Sequence, residues 1–159
     1  MRRARTALLW LILACWLAFP AWGAPARSAI LMIGDGMGAA HVQAAAGYAA
    51  FLGKSLALTG LMERCPGGLA STFSANAPIT DSAAAATALA AGVKTNNGMV
   101  GVAPDGSAVE TVLEQCKRAG KSVGLITTVG ITHATPACFA AHVSSRGEQE
   151  EIAAQMVAG

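Results

Sequence analysis

An α/β fold with a mostly parallel central sheet flanked by helices is predicted by three features of the chain. Residues 28–33 and 122–128 form continuous apolar runs, the pattern of strands buried on both faces. Helical stretches stand between and after these runs, and strand–helix–strand order is the signature of a parallel sheet. The apolar share is 53% and the charged share 13%, which excludes a disordered chain. A length of 159 residues suffices for one domain with its own core.

The first segment reads as an address rather than as structure. Arg2, Arg3 and Arg5 precede an apolar run over 7–19, and Ala21-Trp22-Gly23 places small residues where a signal peptidase cuts. A cleaved export signal over 1–23 is expected, with residues 24–159 forming one domain. The apolar run is short for a bilayer span and Pro20 interrupts it, so no stable membrane span is expected after cleavage. Cys15 sits in a poor lipoprotein box, and Arg2-Arg3 makes a poor twin-arginine signal. Cleavage leaves Cys65, Cys116 and Cys138, widely spaced and without a CxxC pair. An oxidising compartment permits one disulfide among them; small buried hydrophobes are the other reading. A net charge of +2 with no basic stripe gives no basis for nucleic acid as a specific partner.

The remaining elements follow in order. Residues 34–38 turn the chain after the first run, and 39–52 form an Ala-rich helix ending near Gly53. Residues 58–63 and 69–74 flank Pro66-Gly67-Gly68, the pattern of two short strands joined by a turn. Residues 82–91 make a helix of small side chains closed by Gly92. Residues 94–106 are loop-rich, with a short strand at 99–102. A helix at 109–119 ends at Gly120, and 135–141 is helical with Pro136 near its start. A last amphipathic helix covers 148–157. A βα pattern would continue with another strand, so the sheet is expected to be incomplete on its C-terminal side.

Four stretches carry possible chemistry. Gly34-Asp35-Gly36-Met37-Gly38-Ala39 follows a buried run, where parallel sheets bind ligands. It satisfies G-x-G-x-x-A, but Asp35 would face a pyrophosphate, and Glu63 comes too late for the ribose-binding acid. Asp35 as a metal ligand, a dinucleotide loop and a plain turn all remain open at this point. Thr80-Asp81-Ser82 heads a helix: these residues are ordinary N-caps, or Ser82 is a nucleophile beside backbone N–H groups that suit a phosphate. Thr135 in His133-Ala134-Thr135-Pro136 is either an N-cap or a hard oxygen ligand, with His133 close to the same metal. Arg146 is either a solvated surface cation or a bidentate phosphate clamp. His41 and His142 lack metal-ligand spacing and read as structural or exposed.

Taken together and in order, these stretches resemble the alkaline phosphatases with a serine nucleophile. The matching segments are Ile33-Gly34-Asp35-Gly36-Met37-Gly38, Thr80-Asp81-Ser82-Ala83 through Thr87-Ala88, Gly92-Val93-Lys94-Thr95, Ala119-Gly120-Lys121-Ser122-Val123-Gly124, His133-Ala134-Thr135-Pro136 and Ala141-His142-Val143-Ser144-Ser145-Arg146. The resemblance implies an alkaline-phosphatase-like α/β domain that hydrolyses small phosphomonoesters. It implies that Ser82 is phosphorylated and is also a metal ligand, that Arg146 binds substrate phosphate, and that Asp35 and Thr135 are metal ligands. His133 stands where the family carries Asp or His near magnesium. Two Zn²⁺ and one Mg²⁺ are implied, in an exported, periplasmic or secreted enzyme that is a homodimer at full length. The remaining metal ligands of the family have no counterpart in this sequence. The 159-residue chain is therefore expected to be an N-terminal portion, inactive alone. The alternative is a truncated, non-catalytic exported protein that at most binds phosphate or a metal.

Overall fold

The structure, a computed structural model, describes residues 26–65 and 67–159. Residues 1–25, with the expected export signal, and Pro66 lie outside the described residues. The chain divides into a unit ending at Ile33 and a unit over Gly34–Gly159. In the first unit, residues 26–33 carry no regular structure, and Ile30 and Met32 are almost fully exposed.

Among the described residues of the second unit six helices follow one another: α1 (Ala39–Phe51), α2 (Ala57–Arg64), α3 (Ser82–Ala91), α4 (Val112–Arg118), α5 (Ala134–Ala137) and α6 (Gln149–Ala158). Each boundary has a local cause. Asp81 caps α3 by accepting from the Ala84 N–H at 2.9 Å, and Gly92 at φ 72° ends it. Thr111 and Glu114 form a reciprocal capping box that starts α4 three residues later than its apolar pattern begins. Helix α5 is a single turn begun by His133. Thr135 therefore lies inside the helix and is not its cap. Pro136 is the third helical residue, where a missing N–H leaves no intrahelical bond unmade.

One expected strand is a helix. Residues 58–63 lie within α2, which brings Leu58, Leu61 and Met62 to the three-and-four spacing of one helical face. The Thr59 hydroxyl donates to the Leu56 carbonyl at 2.7 Å and secures its first turn. The expected strands at 69–74 and 122–128 form no ladder among the described residues; Leu69 and Ile126 are fully exposed. A strand takes its hydrogen bonds from neighbours, and no described segment pairs with either run. The short strand foreseen at 99–102 exists as two isolated antiparallel bridges, Val100 with Val143 and Val102 with Ala108.

The core lies where small residues allow close approach. Ala83 and Ala86 of α3 pack with Ala134, Ala137 and Cys138, while Val100, Val143 and Ile152 of α6 close the cluster. Burying alanines contributes little area per residue but brings backbones together. Inside it, the Thr87 hydroxyl accepts from the Gly101 N–H at 3.0 Å and donates to the Cys138 sulfur at 3.3 Å. Cys138 donates in turn to the Ala83 carbonyl at 3.2 Å, and burial raises its thiol pKa. This is the buried-hydrophobe reading of that cysteine; Cys65, Cys116 and Cys138 are all free thiols.

Candidate active site

The site is built on the first turn of α3. Ser82 is its first helical residue, directly after the Asp81 cap. The N–H groups of Ser82 and Ala83 have no acceptor among the described residues, whereas Ala84 and Ala85 donate to Asp81. Two free donors at the positive end of a helix dipole attract an anion.

Arg146 arrives from a two-stranded pairing of residues 98–101 with 142–146. Val100 and Val143 exchange both backbone hydrogen bonds, at 3.0 and 2.9 Å, and the Arg146 N–H donates to the Gly98 carbonyl at 2.7 Å. The guanidinium then lies across the helix start. Its Nη1 is 3.1 Å from both Ser82 Oγ and Asp81 Oδ2, and its Nη2 is 3.4 Å from His133 Nε2. Asp81 thus serves three donors: Ala84 N–H, Gly98 N–H at 3.0 Å and Arg146. Burial pushes its carboxyl pKa up, but the hydrogen bonds from Ala84, Arg146 and Gly98 outweigh that and hold it below the ordinary carboxylate value. Asn97 completes the loop: its side chain accepts from the Asp81 N–H at 3.0 Å and donates to the Ile79 carbonyl at 2.9 Å.

His133 Nε2 meets an N–H donor, so it must act as acceptor there, which puts the ring proton on Nδ1. That Nδ1 is buried and has no partner among the described residues. Two residues further on, the Thr135 hydroxyl donates to Asp35 Oδ2 at 2.6 Å, bringing together positions 100 apart in sequence. The five residues singled out from sequence therefore form two groups, Ser82–Arg146–His133 and Asp35–Thr135, which share the start of α5. No hydrogen bond or ion pair joins the two groups among the described residues.

The donor set is selective about metals. Asp35 and Thr135 offer adjacent hard oxygens, which suit magnesium. Zinc prefers three or four ligands including imidazole or thiolate, and no group of three His, Cys, Asp or Glu comes together among the described residues. The described residues fit the magnesium partially and do not make a zinc site.

Sequence reasoning read Asp81 only as a cap and left Asn97 and Gly98 in a loop. Their signal was the Gly92–Gly98 stretch itself, in which Asn96-Asn97-Gly98 is a turn pattern rich in side-chain acceptors.

The model of the family described as alkaline phosphatase matches residues 26–158. The chain belongs to the alkaline phosphatase family. Alkaline phosphatase 4 of Bacillus subtilis is 42% identical over 139 residues, covering 80% of this chain and 28% of the relative. The crystal structure of the alkaline phosphatase from Thermus thermophilus superposes with a TM-score of 0.71 at 41% identity, over 74% of this chain and 25% of that one. A variant of the alkaline phosphatase from the Antarctic bacterium TAB5, with a histidine changed to aspartate and magnesium bound in its M3 site, matches at a TM-score of 0.57 and 37% identity, over 64% of this chain and 32% of that one. The chain thus spans 25–32% of the length of these relatives. No helix of the described residues is long and apolar enough to cross a membrane.

Proposed function

We propose that this alkaline phosphatase chain carries the nucleophile and the phosphate clamp of a phosphomonoester hydrolase, with Ser82 as nucleophile and Arg146 as clamp. The observation that supports this most is the Arg146 guanidinium, 3.1 Å from Ser82 Oγ at a helix end with two free N–H donors. A phosphoryl group joined to Ser82 Oγ would meet the guanidinium on one side and those N–H groups on the other. In the reaction, Ser82 Oγ forms a bond to phosphorus as the ester oxygen–phosphorus bond breaks. The hydroxyl proton leaves Ser82, and the departing alkoxide takes up a proton as the alcohol. Water then attacks phosphorus, the phosphoserine bond breaks, and inorganic phosphate and the Ser82 hydroxyl are restored. Asp81 keeps Arg146 aimed, and His133 braces its second nitrogen.

Asp35 and Thr135 would hold a divalent cation, which would supply positive charge to offset that of a phosphoryl group. His133 Nδ1 is buried and without a partner among the described residues. A zinc pair of the kind the family resemblance implies would draw its imidazole donors from outside the described set.

The apolar runs at 28–33 and 122–128 act as strands of a mostly parallel sheet in the complete enzyme, which accounts for their continuous apolar character. The segment 1–23 exports the protein to the periplasm or beyond. Changing Ser82 to Ala in the complete, metal-loaded enzyme lowers phosphomonoester turnover by at least about a thousandfold. Turnover within a few-fold of the unaltered enzyme removes Ser82 as nucleophile.

A further inference from the structure

His142 sits four residues before Arg146, at the other end of the same backbone pairing, and every polar group it owns is used. Its N–H donates to Gln155 Oε1 at 2.7 Å, and its carbonyl accepts from Gln155 Nε2 at 3.2 Å. Its Nδ1 is 2.6 Å from the Gly101 carbonyl, and its Nε2 is 2.8 Å from Glu114 Oε1. A carbonyl and a carboxylate are both acceptors, so this geometry requires both ring nitrogens to donate, and the ring is an imidazolium. The pairing explains why a side chain is needed here. Backbone bonds run from Arg146–Gly98 to Val143–Val100, and Gly101, at φ 60°, then turns away. The Gly101 carbonyl accepts from the Val109 N–H at 3.0 Å, and the His142 ring adds a second, side-chain hydrogen bond to it where the pairing with residues 142–146 ends.

We propose that His142 is a positioning residue for Arg146: its imidazolium ties the Gly101 carbonyl to the Glu114 carboxylate and fixes the pairing of residues 98–101 with 142–146. The consequence reaches the site because Gly98 donates to Asp81 while its carbonyl holds the Arg146 N–H. Loosening the pairing at His142 shifts Gly98 and Arg146 together. The charges facing the ring are few. Glu114 of α4 contacts it directly, Glu110 and Arg118 line the same open cleft of about 440 Å³ and pair with each other, and Glu151 of α6 reaches it only through Gln155. Burial pushes the imidazole toward its neutral form, but the Gly101 carbonyl and Glu114 outweigh it and raise the pKa above the ordinary 6.5. The imidazolium tie therefore persists to higher pH than a free imidazole would hold it, and is lost as pH rises through the raised value.

The proposal rests on the reading of Arg146 as phosphate clamp. Its test uses the complete, metal-loaded enzyme, with inorganic phosphate as competitive inhibitor followed across pH. His142→Gln weakens phosphate inhibition on the order of tenfold, the cost of a lost charge-assisted hydrogen bond. Glu114→Gln offers an amide that donates to a neutral Nε2 while its oxygen still accepts from the Thr111 N–H. It therefore holds phosphate as the unaltered enzyme does below the His142 transition, without that enzyme's weakening above it. In an Arg146→Ala background the penalty of His142→Gln disappears, because the residue it positions is gone. Unchanged inhibition in a folded His142→Gln variant overturns the proposal, as does a penalty that survives Arg146→Ala or a transition that survives Glu114→Gln. Absence of phosphate inhibition in the unaltered enzyme overturns the clamp reading itself, and this proposal with it.

Discussion

Residues 82–102 and residues 121–131 belong to the same compact unit but are held in opposite ways. In the first, nearly every turn is closed by a side chain: Asp81 caps α3, Thr87 receives the Gly101 N–H, and Gly98 bridges Asp81 and the Arg146 backbone. In the second, Val123, Ile126, Val129 and Ile131 face solvent and the backbone forms no ladder. Both stretches are apolar in sequence. The difference is that helix and loop bonds close within the segment or through short polar side chains, whereas a buried strand depends on neighbours for all of its pairing. The first kind of framework is self-supporting, whereas the sheet proposed for the second would depend on pairing partners outside the described residues.

The largest expected effect breaks the well-bonded region. A Cβ at Gly101 would collide with the Ala141 carbonyl oxygen and lie 2.9 Å from His142 Nδ1, in a backbone at φ 60° that side chains disfavour. Gly101→Ala should cost about 3 kcal/mol or more, measured by urea unfolding of the complete enzyme. Next, the contrast sharpens at Ile126, which is fully exposed here. If residues 122–128 are a sheet strand in the complete enzyme, Ile126→Asp costs about 3 kcal/mol there. A cost below about 0.5 kcal/mol leaves the segment at the surface and removes the sheet proposal.

The smallest effect is electrostatic. The folded-state pKa of Asp81 lies below its ordinary 3.8, so the unfolded chain binds the proton more readily in the interval between them. Its contribution to stability is complete above 3.8 and is lost as pH falls through the lowered folded value. Acid unfolding of Asp81→Asn should lack that part of the dependence. The effect is modest because the Asp81–Arg146 pair is partly exposed.

Legibility in the sequence follows the same division. Helix α3 is readable because its cap and its closing glycine are both local, and α4 because its apolar spacing and Gly120 are local, although the Thr111–Glu114 capping box sets its start three residues later. The stretch 58–63 is a helix and not the expected strand, since three apolar residues in a six-residue window fit either period and the turn bonds at Leu56 and Leu61 decide it. Ser82, Arg146 and His133 could be nominated from their motifs, but their meeting joins positions 13 and 64 apart, which no local pattern encodes. His142 was passed over for the same reason: its partners, Gly101 and Glu114, are 41 and 28 residues away.

The central claim is that Ser82 takes the phosphoryl group. The most direct measurement is peptide mass spectrometry of the complete, metal-loaded enzyme, quenched in acid during turnover of a phosphomonoester. The account predicts one added phosphate located on Ser82, absent after Ser82→Ala. Phosphate found on another residue, or turnover that leaves no phosphorylated peptide while phosphate is being released at a steady rate from an Ser82→Ala enzyme, would contradict it.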